Sequence, residues 1–203
     1  SLSLGAVGST TTLVTLFTGV LIGMAGGINV LVARYFGARD KRSTIQTVHT
    51  ALLVSFAAGV IVLIFGLLFS RGVLELLNTK EELLEGAVLY IRIYFLGMPF
   101  IMLYDFGSSI LRSTGDSKRP LYALISAGII NTMLNLILVI VFHLGVSGVA
   151  IATVVSNMVS SGIILYILMH EEPPIRLSFH KLSIHLPELK KILQIGVPAG
   201  LQG

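Results

Sequence analysis

The chain has 203 residues, of which 54% are hydrophobic and only 12% charged, with a formal net charge of +4. Its mean hydropathy is +0.91, whereas soluble domains carry roughly a quarter charged residues, so a water-soluble domain is excluded. There is no cysteine, which removes disulfide frameworks and thiolate metal sites.

No charged side chain occurs from Ser1 to Ala33, from Ser43 to Ser70 or from Pro120 to His170. Apolar runs of this length exceed the ~20 residues that cross a bilayer. Five spans follow in order: Ala6 to Ala33, Ile45 to Phe69, Ala87 to Leu111, Leu121 to Phe142 and Gly148 to Met169. They lack period-two alternation, and in lipid the backbone must satisfy its own hydrogen bonds, so each is a helix. The expected fold class is all-α, a polytopic transmembrane bundle. A signal peptide is not expected, because the first apolar stretch is too long and lacks a basic leader and a cleavage pattern. The chain starts without Met and stops soon after Lys190 and Lys191 open a new apolar segment. It is therefore expected to be a piece of a longer protein.

Lys and Arg in the connections set the orientation. Arg34, Arg39, Lys41 and Arg42 follow the first span, Arg112, Lys118 and Arg119 the third, and Arg176, Lys181, Lys190 and Lys191 the fifth. The opposite connections hold only Arg71 and Lys80, beside Glu75, Glu81, Glu82 and Glu85. The first complete span is thus expected to run inward, with the polar, proline-marked segment after Glu171 in the cytoplasm. That distribution accounts for the net charge without a nucleic-acid partner. Beyond the connector, Pro198 and its neighbouring glycines would bend or break a new helix, as happens near transporter sites and in ordinary kinked membrane helices.

Gly19, Gly23 and Gly27 share one face of the first span, where another helix can approach closely. Asp105 is the one acid well inside a span, ~10 Å from the cytoplasmic end. It is either a proton or substrate group facing the bundle interior or an acid held by hydrogen bonds or by Arg112, and Arg92 on the same span is adequately explained by snorkelling. Asn131 and Asn135 lie one turn apart near mid-membrane, and Thr153, Asn157 and Ser160 form a polar stripe on the next helix. Asn135 and Thr153 both fall ~8 to 10 Å from the external end. Amide and hydroxyl oxygens there suit a small hard cation, and interhelical hydrogen bonding is the competing reading. Neither group exchanges a proton. The histidines His49, His143, His170, His180 and His185 are scattered without metal-ligand spacing. No phosphate-binding loop, nucleophile elbow or carboxylate pair is present, so an enzyme is not expected.

Four stretches carry a family resemblance: Val32-Ala-Arg-Tyr-Phe-Gly-Ala-Arg-Asp40, Leu111-Arg-Ser-Thr-Gly-Asp-Ser-Lys-Arg-Pro120, Leu144-Gly-Val-Ser-Gly-Val-Ala-Ile-Ala-Thr153 and Ile195-Gly-Val-Pro-Ala-Gly-Leu-Gln202. In this order they resemble the multidrug and toxic compound extrusion family. The resemblance implies helices two to six, and the start of helix seven, of a twelve-helix, two-lobe secondary transporter. Residues 1–170 would be the amino-terminal lobe lacking its first helix, 171–187 a cytoplasmic connector and 188–203 the start of the second lobe. It also implies export of small organic cations or drugs in exchange for sodium or protons by alternating access, in the plasma membrane.

Carried over from the family, the cation site would comprise Asn131, Asn135 and Thr153, with Asp105 kept as a separate proton or substrate candidate. The family's helix-one acid would lie outside this chain, and Asn135 stands where some members have Asp, which puts proton-only coupling in doubt. No cofactor or metal beyond a possible sodium ion is expected. The partners would be the lipid bilayer and the cation substrate, with the full-length protein a monomer. A flippase for lipid-linked saccharides is the nearest competitor, and a non-transporting scaffold subunit the reading from another class.

Overall fold

A computed structural model describes residues 2–76, 81–171, 175–177 and 186–202. Within them the chain is all-α: α1 (Leu2–Gly37), α2 (Lys41–Leu76), α3 (Glu81–Leu96), α4 (Met98–Ser113), α5 (Lys118–Leu136) with a π-helical turn (Ile137–Val141), α6 (Val146–Met169) and α7 (Leu186–Gln202). Five stretches are long and apolar enough to cross a membrane: Gly19–Gly37, Lys41–Leu68, Val88–Ser113, Lys118–Val141 and Ser147–Met169. Each overlaps a span expected from sequence, the first only from Gly19 onward. Lys80, Pro173, Pro174, His180, Lys181 and His185 lie outside the described residues.

The helix ends explain why the basic segments turn where they do. Arg39 adopts a left-handed conformation with φ 60°, and the Asp40 N–H reaches back to Tyr35 O at 3.0 Å, closing α1 with a wrapped C-terminal turn that satisfies carbonyls of its last turn. Asp40 then caps α2 by accepting the Ser43 N–H at 3.1 Å. Hydrogen bonds from Ser43 hold the Asp40 carboxyl below the usual range, as a helix N-terminus favours the charged form. At the end of α4 the same geometry recurs with glycine: Gly115 has φ 92°, and the Asp116 N–H donates to Leu111 O at 3.1 Å. The Arg-Ser-Thr-Gly-Asp run is therefore a helix stop followed by a helix start.

Two details depart from five uninterrupted spans. The third span breaks at Gly97 into α3 and α4. Pro99 has no N–H to offer and its ring crowds the carbonyl four residues back, so the Gly97 N–H bonds Tyr94 O at 3.0 Å and the ladder restarts with the Ile101 N–H on Gly97 O. The fourth span ends in the π-helical turn, where the Phe142 N–H reaches Ile137 O at 3.2 Å.

α4 is the central helix, packed against α1, α2, α3, α5 and α6. Its Phe106, Ile110 and Leu111 are fully buried among Ile28 and Leu31 of α1, Val48 of α2, and Ile164 and Leu168 of α6. Lipid tails are as apolar as these side chains, so close packing rather than water exclusion holds such helices together. Glycines permit it. A Cβ on Gly59 would fall 2.3 Å from Pro99 Cα, and one on Gly107 would fall 2.3 Å from Ile164 Cγ2. The expected glycine face of α1 does turn inward, with Gly23 and Gly27 buried and Gly19 half-buried. On α5 the opposite holds: Leu121, Ile125, Ile129, Met133 and Leu136 are exposed, an apolar surface suited to lipid. Within the connector, polar in sequence, Ile175 and Leu177 return to the core, with the Leu177 N–H on Leu168 O at 2.8 Å.

Candidate functional site

Asn131 and Asn135 stand on consecutive turns of α5 at the edge of its packed face. The i, i+4 spacing brings the side chains together, and Asn135 Nδ2 donates to Asn131 Oδ1 at 3.2 Å. This fixes which amide atom points onward. Asn135 Oδ1 is fully buried and accepts no hydrogen bond among the described residues. An unpaired buried carbonyl oxygen costs about 1–3 kcal/mol, and a cation or a donor from elsewhere would remove that cost.

Thr153 lies on α6, which packs directly on α5. Its hydroxyl donates to Val149 O at 3.0 Å, leaving its oxygen lone pairs as the only function it can offer outward. No hydrogen bond links it to the asparagine pair. The polar stripe divides: Ser160 Oγ is tied to Asn157 O at 3.0 Å, a local bond of helical serines, while the Asn157 amide nitrogen lies 3.3 Å from where a Cβ would sit on Gly97, at the break in the third span. Asn157 thus packs on the break rather than joining Thr153.

Asp105 is half-buried on α4. No hydrogen bond or ion pair to Asp105 is found among the described residues: the Arg112 guanidinium Nε donates to Ser108 O at 3.3 Å, while its charge still acts on the Asp105 carboxyl. One turn along from Asp105, Ser108 is 1% exposed and its hydroxyl is likewise without a partner among the described residues. Asn29 of α1 donates from Nδ2 to Ser109 O at 3.4 Å. Sequence reading passed over Asn29 and Ser108; an amide inside an otherwise apolar span was the available signal for the first, while an isolated serine carries none. Arg92 is exposed, as snorkelling requires. His49 is fully buried with its Nδ1 bonded to Ile45 O at 2.8 Å, a core histidine. No cluster of three or more His, Asp or Glu able to hold a metal occurs among the described residues.

The basic end of the bundle holds a cavity of about 670 Å³ lined by Phe36, Thr114, Gly115, Asp116, Arg119, His170, Glu171 and Ile175. Arg119 bridges it, pairing with Asp116 and, at 2.5 Å, with Glu171. Partial burial acts against ionisation of Asp116, but hydrogen bonds from the Arg119 backbone and guanidinium outweigh it and hold the carboxyl below its usual range. Both carboxylates are satisfied by this one cation. The arrangement ties the α4–α5 turn to the end of α6, and its exposure makes it worth only about 1 kcal/mol or less.

The MatE family model matches residues 1–137. The chain is 32% identical over 208 residues to the probable multidrug resistance protein YoeA of Bacillus subtilis, covering 98% of this chain and 44% of that protein. It is 26% identical to the multidrug export protein MepA of Staphylococcus saprophyticus, over 90% of this chain and 40% of the relative. The chain thus spans under half the length of these relatives. Among solved structures, an inward-facing multidrug resistance MATE family transporter of the MOP superfamily superposes with a TM-score of 0.83 at 29% identity, over 98% of this chain and 45% of that one. An outward-facing one gives 0.82 at 29% identity, over 98% and 44%. A MOP superfamily transporter from Pyrococcus furiosus, described as having a binding pocket of reverse polarity that suggests a different function, gives 0.81 at 30% identity, over 98% and 44%. The matched family is one of transporters rather than enzymes, and with its model covering more than half of the chain, this multi-pass membrane protein belongs to the multidrug and toxic compound extrusion family.

Proposed function

We propose that the full-length protein is a secondary antiporter that exports organic cations or drugs in exchange for sodium or protons by alternating access. The observation that carries this reading is the buried, unpaired Asn135 Oδ1, fixed by its partner Asn131 beside a helix that offers the Thr153 oxygen. Such oxygens favour a hard cation. Asp105, half-buried and without an ion pair among the described residues, is an acid here that can carry a proton or attract a cationic substrate. The similarity to inward- and outward-facing relatives is nearly equal, which supports a half that keeps its internal packing while access alternates.

In this reading the basic end, with the connector 171–187, is cytoplasmic, residues 1–170 form the first lobe and 188–203 begin the second, and the protein works as a monomer in the plasma membrane. No cofactor is involved. A flippase of lipid-linked saccharides is the second reading, kept because a superfamily member with reversed pocket polarity is almost as similar. Polar groups inside the described spans such as Asp105, Asn131 and Asn135 favour cations, and the basic Arg92 is exposed.

Water access tests the site. In the full-length protein, single cysteines at Asn131 and Asn135 should react with a polar, membrane-permeant thiol reagent at least tenfold faster than one at Ile129, which is 58% exposed but faces lipid. Equal protection at all three positions would mean dry packing and would remove the site.

A further inference from the structure

α7 is expected to open the second lobe, yet its first turns are fastened to the helices of the first. Lys191 Nζ donates to Tyr35 OH at 2.6 Å, joining α7 to the end of α1. Glu188 is 4% exposed, and its Oε2 lies 3.2 Å from Thr47 Oγ1 on α2. The one hydroxyl hydrogen of Thr47 is shared between this carboxylate and Ser43 O, 2.7 Å away. Between these polar contacts Ile192 is fully buried in the core, and Ile195 packs against the same cluster. Sliding α7 along α2 would break this hydroxyl–carboxylate contact while the carboxylate is still enclosed by protein, which is costly.

The helix changes character one turn further along. Pro198 lies inside α7, where it cannot donate to Gln194 O and its ring crowds that carbonyl; Gly196 and Gly200 flank it. Such a site is where a helix bends.

We infer that the first turns of α7, Leu186–Ile195, belong mechanically to the first lobe, and that the articulation between the two halves lies at Gly196–Pro198 rather than in the connector 171–187. The inference rests on the alternating-access reading and specifies its hinge. Glu188, Lys191 and Ile192 act as a staple, so the chain enters the second half already gripped, and motion begins one turn further along.

The test uses the full-length protein freed of other cysteines. Because two long side chains meet at their tips, direct disulfide formation is not expected, so Tyr35→Cys and Lys191→Cys are bridged with a short bis-maleimide. Transport of a fluorescent cation should stay within twofold of the unbridged protein, and spin labels at the same positions should give one distance with and without substrate and ion gradient. Pro198→Ala, which restores the helical hydrogen bond, should lower turnover at least fivefold with its melting temperature unchanged or raised. A bridged protein that loses transport more than tenfold, or two exchanging distances between the labels, would show that the contact is a gate and overturn the staple. Unchanged turnover in Pro198→Ala would overturn the hinge position. Failure of the antiporter reading is separate: it would appear as gradient-independent transport in the unbridged protein, while the label distances still decide the staple.

Discussion

Replacing Gly59 by alanine is expected to destabilise the full-length protein by about 1–3 kcal/mol, the range for overpacking a close-packed interior, and occasionally more. The added methyl would meet Pro99 Cα at 2.3 Å, Pro99 N at 2.8 Å and Met98 O at 3.0 Å. All three are backbone atoms, so no side chain can rotate away and α2 must move off the start of α4. Gly107→Ala is expected to be costly as well and to rank between Gly59→Ala and the control, because its 2.3 Å contact is with a side-chain methyl rather than backbone, but that methyl is Cγ2 of the fully buried Ile164, whose χ1 has little freedom in a helix. Gly26→Ala is the control. Nothing lies within 4 Å of its added carbon, and alanine is favoured over glycine in a helix by about 1 kcal/mol. Thermal unfolding in detergent should rank the variants with Gly26→Ala the most stable and Gly59→Ala the least. Equal midpoints for Gly59→Ala and Gly26→Ala would mean that α2 and α4 are not in contact as described.

Asn135→Ala should weaken the apparent affinity for the coupling ion by roughly 10- to 100-fold, the equivalent of losing one charge-assisted interaction of about 1.5–3 kcal/mol. It removes the buried Oδ1 and also takes from Asn131 its hydrogen-bond donor. Thr153→Ala should have a smaller effect in the same direction, since the hydroxyl hydrogen is already committed to Val149 O and only a lone pair is lost. Ion titrations of substrate efflux in vesicles check both, with membrane yield and melting temperature measured on the same samples. Neither variant should lose yield, because the lost bonds lie within single helices. Wild-type ion dependence in both variants would remove the site assignment.

The five spans and the clustering of basic connections were legible because hydropathy and charge act over stretches of ~20 residues. The α4–α5 turn could be read as a motif, but its work became visible only in Gly115 with φ 92° and in the double pairing of Arg119. The break at Gly97 escaped the sequence reading, although Pro99 announced it, because an average over a span does not register a two-residue interruption. Partnerships were harder still. Whether Asn157 joins Thr153 or packs on Gly97, and whether Arg112 reaches Asp105 or turns back to Ser108 O, depends on how each helix is rotated against its neighbours. Periodicity fixes which residues share a face and leaves open which helix that face meets. The burial of Glu188 and Leu177 has the same origin: both sit in locally polar sequence, and only tertiary packing brings them inside.

Ion-coupled export can be measured directly. Full-length protein reconstituted in sealed vesicles, loaded with a fluorescent organic cation, should expel it when an inward sodium or proton gradient is imposed, and efflux should fall to the protein-free leak when both gradients are dissipated. Efflux that continues unchanged with both gradients collapsed would contradict it.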